Sequence, residues 1–161
     1  MTEQERMLSG ALYNAGDPAL LEARQRAKCL CHRFNTQSPE DNAYAQHQQE
    51  TLQALLGHVG TQCWIEAPFH CDYGTQITIG DHFFANYDCI FLDVAPIVIG
   101  NHVWISADCK VLKGVTVPNN CIIGTNSVVT KKFTEENCII AGNPAGVLKR
   151  EVNWIKNPTL I

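Results

Sequence analysis

A mainly β fold, a parallel β-helix behind an N-terminal helical cap, is the class this sequence predicts, and three observations predict it. The first is a strict six-residue period. Every sixth residue from Ile99 gives Ile99, Ile105, Val111, Val117, Ile123 and Val129, all branched aliphatics. The second is a companion position four places after each, occupied by Val103, Cys109, Val115, Cys121, Ser127 and Phe133, mostly small or apolar. The third is that residues 2–60 carry helix start and stop signals in place of this period. A helix repeats at 3.6 residues and a plain strand at 2, so neither accounts for six. Six residues do make one flat side of a triangular coil, and three sides complete a turn. The aliphatic at the head of each hexad then points inward and stacks on its counterpart one coil away.

Taken in order, the chain divides into a helical cap over 1–60, a β-helix over 61–148 and a tail over 149–161. Thr2-Glu3-Gln4-Glu5 is a capping-box pattern that opens a short first helix. Asp17-Pro18 supplies an N-cap followed by an N1 proline. Leu20, Leu21, Ala27, Leu30, Cys31 and Phe34 follow at spacings that share one face. Ser38-Pro39-Glu40-Asp41 repeats the cap signal, and Leu52, Leu55 and Leu56 lead to Gly57 as a C′ residue. Such a cap blocks the open end of a β-prism, whose edge would otherwise invite further pairing. The loop around Tyr13–Asp17 is placed to reach over a neighbouring site.

Over 62–98 the hexads continue less regularly. Ile65 and Cys71 are six apart, as are Ile79, Ala85 and Phe91. The phase slips by two between Ile77 and Ile79 and again between Ile97 and Ile99, as expected at corners where the chain bulges outward. With these turns the prism reaches about four coils, enough for a continuous stacked core. From Thr134 the pattern fades. Ile139 to Ala145 reads as a last strand and an exit turn, and the tail beyond Lys149 as a short helix or a strand.

The length of 161 residues suits one domain with a small cap. A net charge of −4 gives no support to nucleic-acid or anionic-membrane binding. No apolar run approaches a membrane span, and MTEQERMLSG lacks the apolar core of a signal peptide, so the expected location is cytoplasmic. Eight cysteines in that setting read as reduced thiols, with Cys109 and Cys121 already explained as small inward residues. Cys29-Leu30-Cys31-His32 has a metal-like look. Two ligands one residue apart on a helix diverge, however, and no second pair follows at a zinc spacing, so no metal is expected.

The string Ile122-Ile123-Gly124-Thr125-Asn126-Ser127-Val128-Val129-Thr130-Lys131 and the exit Ala141-Gly142-Asn143-Pro144-Ala145 resemble the hexapeptide-repeat acyltransferases. The N-terminal MTEQERMLSGALYNAGDPAL, the cap and CDYGTQITIGDHFFANYDCIFLDVAPIVIG narrow the likeness to the maltose and galactoside O-acetyltransferases, with the nodulation acetyltransferases. The resemblance spans nearly the whole chain. It implies a left-handed parallel β-helix, a homotrimer, acetyl-CoA in the groove between two prisms and a small sugar acceptor beside it. Acetyl would pass from a thioester to a hydroxyl, which needs a base to take the hydroxyl proton.

By the same resemblance, Asp72, Asn86 and Asp93 match acceptor-contacting positions, with the alternative that Asn86 and Asp93 only tie coil corners. Ala107, Thr125, Thr130, Lys131 and Lys149 match positions lining the CoA groove. Lys149, and also Gly146, stand where the family commonly has arginine. The family's base is a histidine on a T-x-x-H-P segment, about three dozen residues of chain that is missing here. Asp93-Val94-Ala95-Pro96-Ile97-Val98-Ile99-Gly100 runs straight into Asn101-His102-Val103 with the hexad phase intact. His70, His82 and His102 are the substitutes to weigh, each with the alternative of a solvated turn residue. An active sugar O-acetyltransferase, a catalytically silent trimeric scaffold or CoA/sugar-binding relative, and an internally shortened form of an active enzyme are the readings this leaves open.

Overall fold

The computed structural model describes residues 1–154; the end of the expected tail, 155–161, lies outside the described residues. Three helices precede the strands: α1 (Glu3–Ser9), α2 (Pro18–Thr36) and α3 (Tyr44–Leu55). The capping box at α1 is complete, with Thr2 Oγ1 accepting from Glu5 N at 3.1 Å and Glu5 accepting from Thr2 N at 2.7 Å. Asp17 caps α2 through Ala19 N and Leu20 N, and Pro18 sits in its first turn.

Three details differ from the sequence reading. The Ser38–Asp41 signal forms a turn, with Asp41 accepting from Ala43 N at 2.9 Å, and α3 begins later behind Ala43 with no side-chain cap. Leu20 is buried while Leu21 is 50% exposed. Neighbouring helix positions point about 100° apart, so only one of the two can face the core. Gly57 is not a left-handed C′ residue. It follows the C-cap Leu56 at a close approach, where a Cβ would lie 2.3 Å from the Thr75 carbonyl oxygen.

Four coils follow. They are β1 (His58–Val59), β2 (Trp64–Ile65) and β3 (Phe69–Cys71); β4 (Ile77–Ile79), β5 (Phe84–Ala85) and β6 (Cys89–Phe91); β7 (Ile97–Ile99), β8 (Trp104–Ile105) and β9 (Lys110–Val111); β10 (Thr116–Val117), β11 (Ile122–Ile123) and β12 (Val128–Val129). β13 (Ile139–Gly142) and β14 (Ala145–Lys149) close the far end as an antiparallel pair, so the chain leaves the prism as a strand. The three faces are β1-β4-β7-β10, then β2-β5-β8-β11-β13-β14, then β3-β6-β9-β12. Apart from β13 with β14, every pairing among the described residues is parallel.

The register stacks Ile65, Ala85, Ile105, Ile123 and Ile140 in one column, and Ile79, Ile99 and Val117 in another. These residues and all six companion positions are buried. The two phase slips are widened corners. Ile79 pairs with Ile99, twenty residues on, while Ile99 pairs with Val117, eighteen on. Asp93 fills the space between the two bulges. Fully buried, it accepts from Asp72 N at 3.1 Å, Tyr73 N at 2.8 Å and Gln76 N at 3.3 Å.

Cysteines line the interior as small donors. The thiols of Cys63, Cys89 and Cys109 reach the carbonyls of Gly80, Ser106 and Gly124, each in the next coil. At the open end the cap supplies the missing edge. Asn35 donates to the Phe69 carbonyl at 2.9 Å and accepts from Phe69 N at 2.8 Å, as a neighbouring strand would. Gln49 donates to the Cys63 carbonyl at 2.9 Å. These contacts blunt the exposed end of two sheets.

Candidate active site

Three corner edges run along the prism, and the candidate residues are distributed over all of them. The first edge joins the first and second faces. Its turns place Gln62, His82, His102, Asn120 and Asn137 in one column, each with φ between 51° and 62°. This left-handed conformation is uncommon outside glycine, with asparagine and histidine among the residues that tolerate it best. His82 and His102 are therefore corner residues, stacked on each other. His70 points outward from the middle of β3, between the second and third edges.

The second edge joins the second and third faces and carries Asn86, Ala107 and Thr125. Ala107 and Thr125 are one coil apart, linked by Asn126 N donating to the Ala107 carbonyl at 3.0 Å. Asn86 Oδ1 accepts from Trp104 Nε1 at 2.7 Å, one coil on, which fixes the side-chain amide.

The third edge carries Asp72, Asp93, Thr130 and Lys131. Asp93 is the architectural member, tying the widened corners as described. Asp72 is the half-buried carboxylate beside it, and burial foremost, then the neighbouring Asp93, pushes its pKa up while Arg24 opposes. Burial likewise pushes Asp93 up, against the N–H groups that hold its ionised form. Arg24 was not singled out by the sequence. From α2 it donates to the Tyr73 hydroxyl at 2.7 Å and to the Ala15 carbonyl. This clamps the Tyr13–Asp17 loop over the corner, where Tyr13 and Val94 each pack against the cluster of Met7, Leu20 and Tyr73. The signal for Arg24 exists only as a helix residue four places from Leu20, which no local pattern links to Asp72, forty-eight residues on.

At the far end lies a basic depression of about 360 Å³ lined by Lys131, Lys132, Thr134, Glu135 and Arg150. Arg150, paired with Glu135 at 2.9 Å, faces this depression, whereas Lys149 is exposed on β14 outside its lining. Arginine there is the planar bidentate donor that suits phosphate. Among the described residues no group of three or more ligating side chains could hold a metal ion, and no helix is long and apolar enough to cross a membrane.

A prism of hexapeptide coils with a helical cap and polar corner edges defines a hexapeptide-repeat transferase architecture. Comparison with known proteins gives the branch. Residues 6–60 match the maltose acetyltransferase hexapeptide capping motif, and residues 96–131 match the bacterial transferase hexapeptide of six repeats. Nodulation protein L of Rhizobium meliloti is 31% identical over 182 positions, covering 91% of this chain and 97% of the relative. The galactoside O-acetyltransferase of Escherichia coli is 29% identical over 189, covering 95% and 91%. A maltose O-acetyltransferase crystal structure from Clostridium difficile superposes with a TM-score of 0.78 at 34% identity, over 95% of this chain and 98% of that one. A galactoside acetyltransferase in complex with coenzyme A superposes at 0.77 and 27%, over 97% and 94%. The chain belongs to the maltose and galactoside acetyltransferase family of hexapeptide-repeat acetyltransferases.

The alignments also contain positions that this chain does not fill. The 182 positions shared with nodulation protein L take up about 147 of the 161 residues here, so about 35 are filled only in the relative. The galactoside O-acetyltransferase alignment leaves about 36. In this chain the corners between β6 and β12 are short throughout, and no excursion leaves the prism there.

Proposed function

We propose that this protein transfers acetyl from acetyl-CoA to a hydroxyl of a small sugar, at a groove formed where the second edge of one copy meets the third edge of another in a homotrimer. The observation that carries this reading is the division of the candidate residues. Asn86, Ala107 and Thr125 stand on one edge, and Asp72, Thr130 and Lys131 on another, with the whole third face between them. Two copies side by side complete what one prism separates. The pantetheine arm runs along Ala107 and Thr125, the phosphates lie toward Lys131, Lys132 and Arg150, and the acceptor rests by Asp72 under the Tyr13–Asp17 loop. The relatives' printed activities and the coenzyme A complex support this assignment.

The base is the open chemical requirement. No histidine stands on the second or third edge, since His82 and His102 lie on the first and His70 on a face. The gap of about three dozen positions against the relatives matches the length of the histidine-bearing segment. Asp72 is then the group on the acceptor edge able to take a proton, and the rise in its pKa makes it a better base than an ordinary carboxylate. The placement of the histidines favours one competing reading, a CoA- and sugar-binding relative without turnover.

Acetyl-CoA turnover with maltose, glucose and galactosides separates the two. CoA release above background that falls in Asp72→Asn supports transfer, and none with any sugar sinks it. A melting-temperature rise with CoA alone then supports the binding reading, by linkage. Sedimentation is expected to report a trimer; a monomer overturns the shared groove.

A further inference from the structure

A second depression, of about 340 Å³, lies where α2 crosses the third face, next to the corner that carries Asp72. It is lined by Lys28, Cys31, His32, Pro68, His70 and Cys71. Two thiols face each other across it. Cys31 comes from the cap and Cys71 from the first coil, forty residues later, and their sulfurs are 3.8 Å apart. This is the contact distance of two thiols, about 1.8 Å longer than a disulfide bond. The pair is preorganised by the double hydrogen bond between Asn35 and Phe69, which fixes the helix against the strand one turn away.

The two thiols are not equivalent. The contact with Cys71, more than any other group, draws the Cys31 thiol down to about 7, while the same contact and burial push Cys71 up. Lys28 and His32 flank the depression with positive or ionisable groups, the surroundings in which a thiolate forms. The other cysteines are different. Cys31 is buried as Cys63, Cys89, Cys109, Cys121 and Cys138 are, but burial raises each of those five, whereas Cys31 lines the depression against a second thiol. Cys29 is exposed but faces no second thiol. No third ligating side chain joins the pair as a metal site among the described residues.

We propose that Cys31 and Cys71 form a redox-modification site that reacts with hydrogen peroxide and closes an intramolecular disulfide between the cap and the β-helix. The Cys31 thiolate attacks one peroxide oxygen, the O–O bond breaks, and hydroxide leaves to become water. Cys31 is then a sulfenic acid. The Cys71 sulfur attacks it, the S–O bond breaks, and the hydroxyl leaves as a second water with the proton from Cys71. Two thiols and one peroxide give one disulfide and two waters. The bond would tether α2 directly before Asp72.

The test is treatment of the whole protein with dilute hydrogen peroxide, followed by thiol blocking, intact mass and peptide mapping without reductant. The expected result is a mass loss of two hydrogens, a cross-linked peptide joining Cys31 to Cys71, and a raised melting temperature, all reversed by dithiothreitol. The Cys29→Ser variant is expected to keep the cross-link, and Cys31→Ser and Cys71→Ser to lose it. Since serine in this position can disturb folding, the wild-type mass and map decide the matter. Oxygen addition at Cys31 without a cross-link, dimers through Cys29, or an unchanged mass would each overturn the proposal.

Discussion

His82 and His102 lie ring on ring, 4.5 Å between centroids and 12° from parallel, one coil above the other on the first edge. Each has a left-handed backbone, in a column continued by Asn120 and Asn137. Turn geometry explains both histidines without any catalytic task. Asparagine at either place is therefore expected to leave stability and CoA turnover nearly unchanged. Valine, which resists positive φ, is expected to cost about 1–2 kcal/mol. Urea unfolding of the four variants measures this, and a large loss of turnover in His82→Asn or His102→Asn would restore a histidine as the base.

The same corners are joined by a ladder of side-chain oxygens. Asp81 accepts from Thr61 N at 2.8 Å, Asn101 from Asp81 N at 2.9 Å and Asn119 from Asn101 N at 2.7 Å. Asparagine already does this task in two of the three rungs, so Asp81→Asn is expected to fold as well as the parent. The Thr61 N–H, more than any other group, holds the Asp81 carboxyl below the ordinary range. A depressed carboxyl contributes stability above its unfolded value and loses it as pH falls through its folded one. Acid titration of stability should accordingly be shallower in Asp81→Asn than in the parent.

Asp93 has the opposite sign. Its raised pKa means the ionised form is the costly one, so its contribution is present below the unfolded carboxylate value and fades as pH rises through the folded one. Asp93→Asn removes the charge but turns an N–H donor toward a backbone N–H, because Oδ1 serves Asp72 and Tyr73 while Oδ2 serves Gln76. The expected cost is about 1–3 kcal/mol from the mismatched donor. An Asn variant as stable as the parent near neutral pH would show that charge burial, not hydrogen-bond pattern, governs this corner.

Asn35→Ala would expose the Phe69 N–H and C=O at the end of the third face. A loss of about 1–3 kcal/mol is expected, along with concentration-dependent association through the bared edge. Light scattering at several protein concentrations, beside denaturant unfolding, checks both effects.

The basic depression makes its own prediction. Arg150→Glu and Lys131→Glu are expected to weaken CoA binding about tenfold each, a change of about 1.4 kcal/mol. The effect should shrink at high salt, since these groups are exposed. Lys149→Glu should do less, because Lys149 lies outside the lining. Calorimetric titration with CoA ranks the three.

Much of the architecture is legible in the sequence. The hexad heads and their companions stack where the period puts them, because a coil repeats its own geometry and an inward position in one turn is inward in the next. Even the phase slips were visible, as pairs of isoleucines two apart. What local pattern could not supply was every contact across turns of unequal length. Asp93 reads as a polar binding residue in sequence, and only its neighbours Asp72, Tyr73 and Gln76 reveal a buried corner tie.

The prism, its cap and the family are written into period and composition, which act residue by residue along the chain. Tertiary structure alone decided which candidates share an edge. It put His82 and His102 on one edge, Ala107 and Thr125 on a second, Asp72 and Lys131 on a third, and brought Arg24, Arg150 and the Cys31–Cys71 pair into places no motif announced. The physical reason is that an edge is assembled from residues about eighteen to twenty apart, and the contacts of Arg24 and Cys31 from residues forty or more apart. Those separations are set by how many residues each corner holds, a quantity fixed by packing and hydrogen bonds between coils rather than by any residue's own preference.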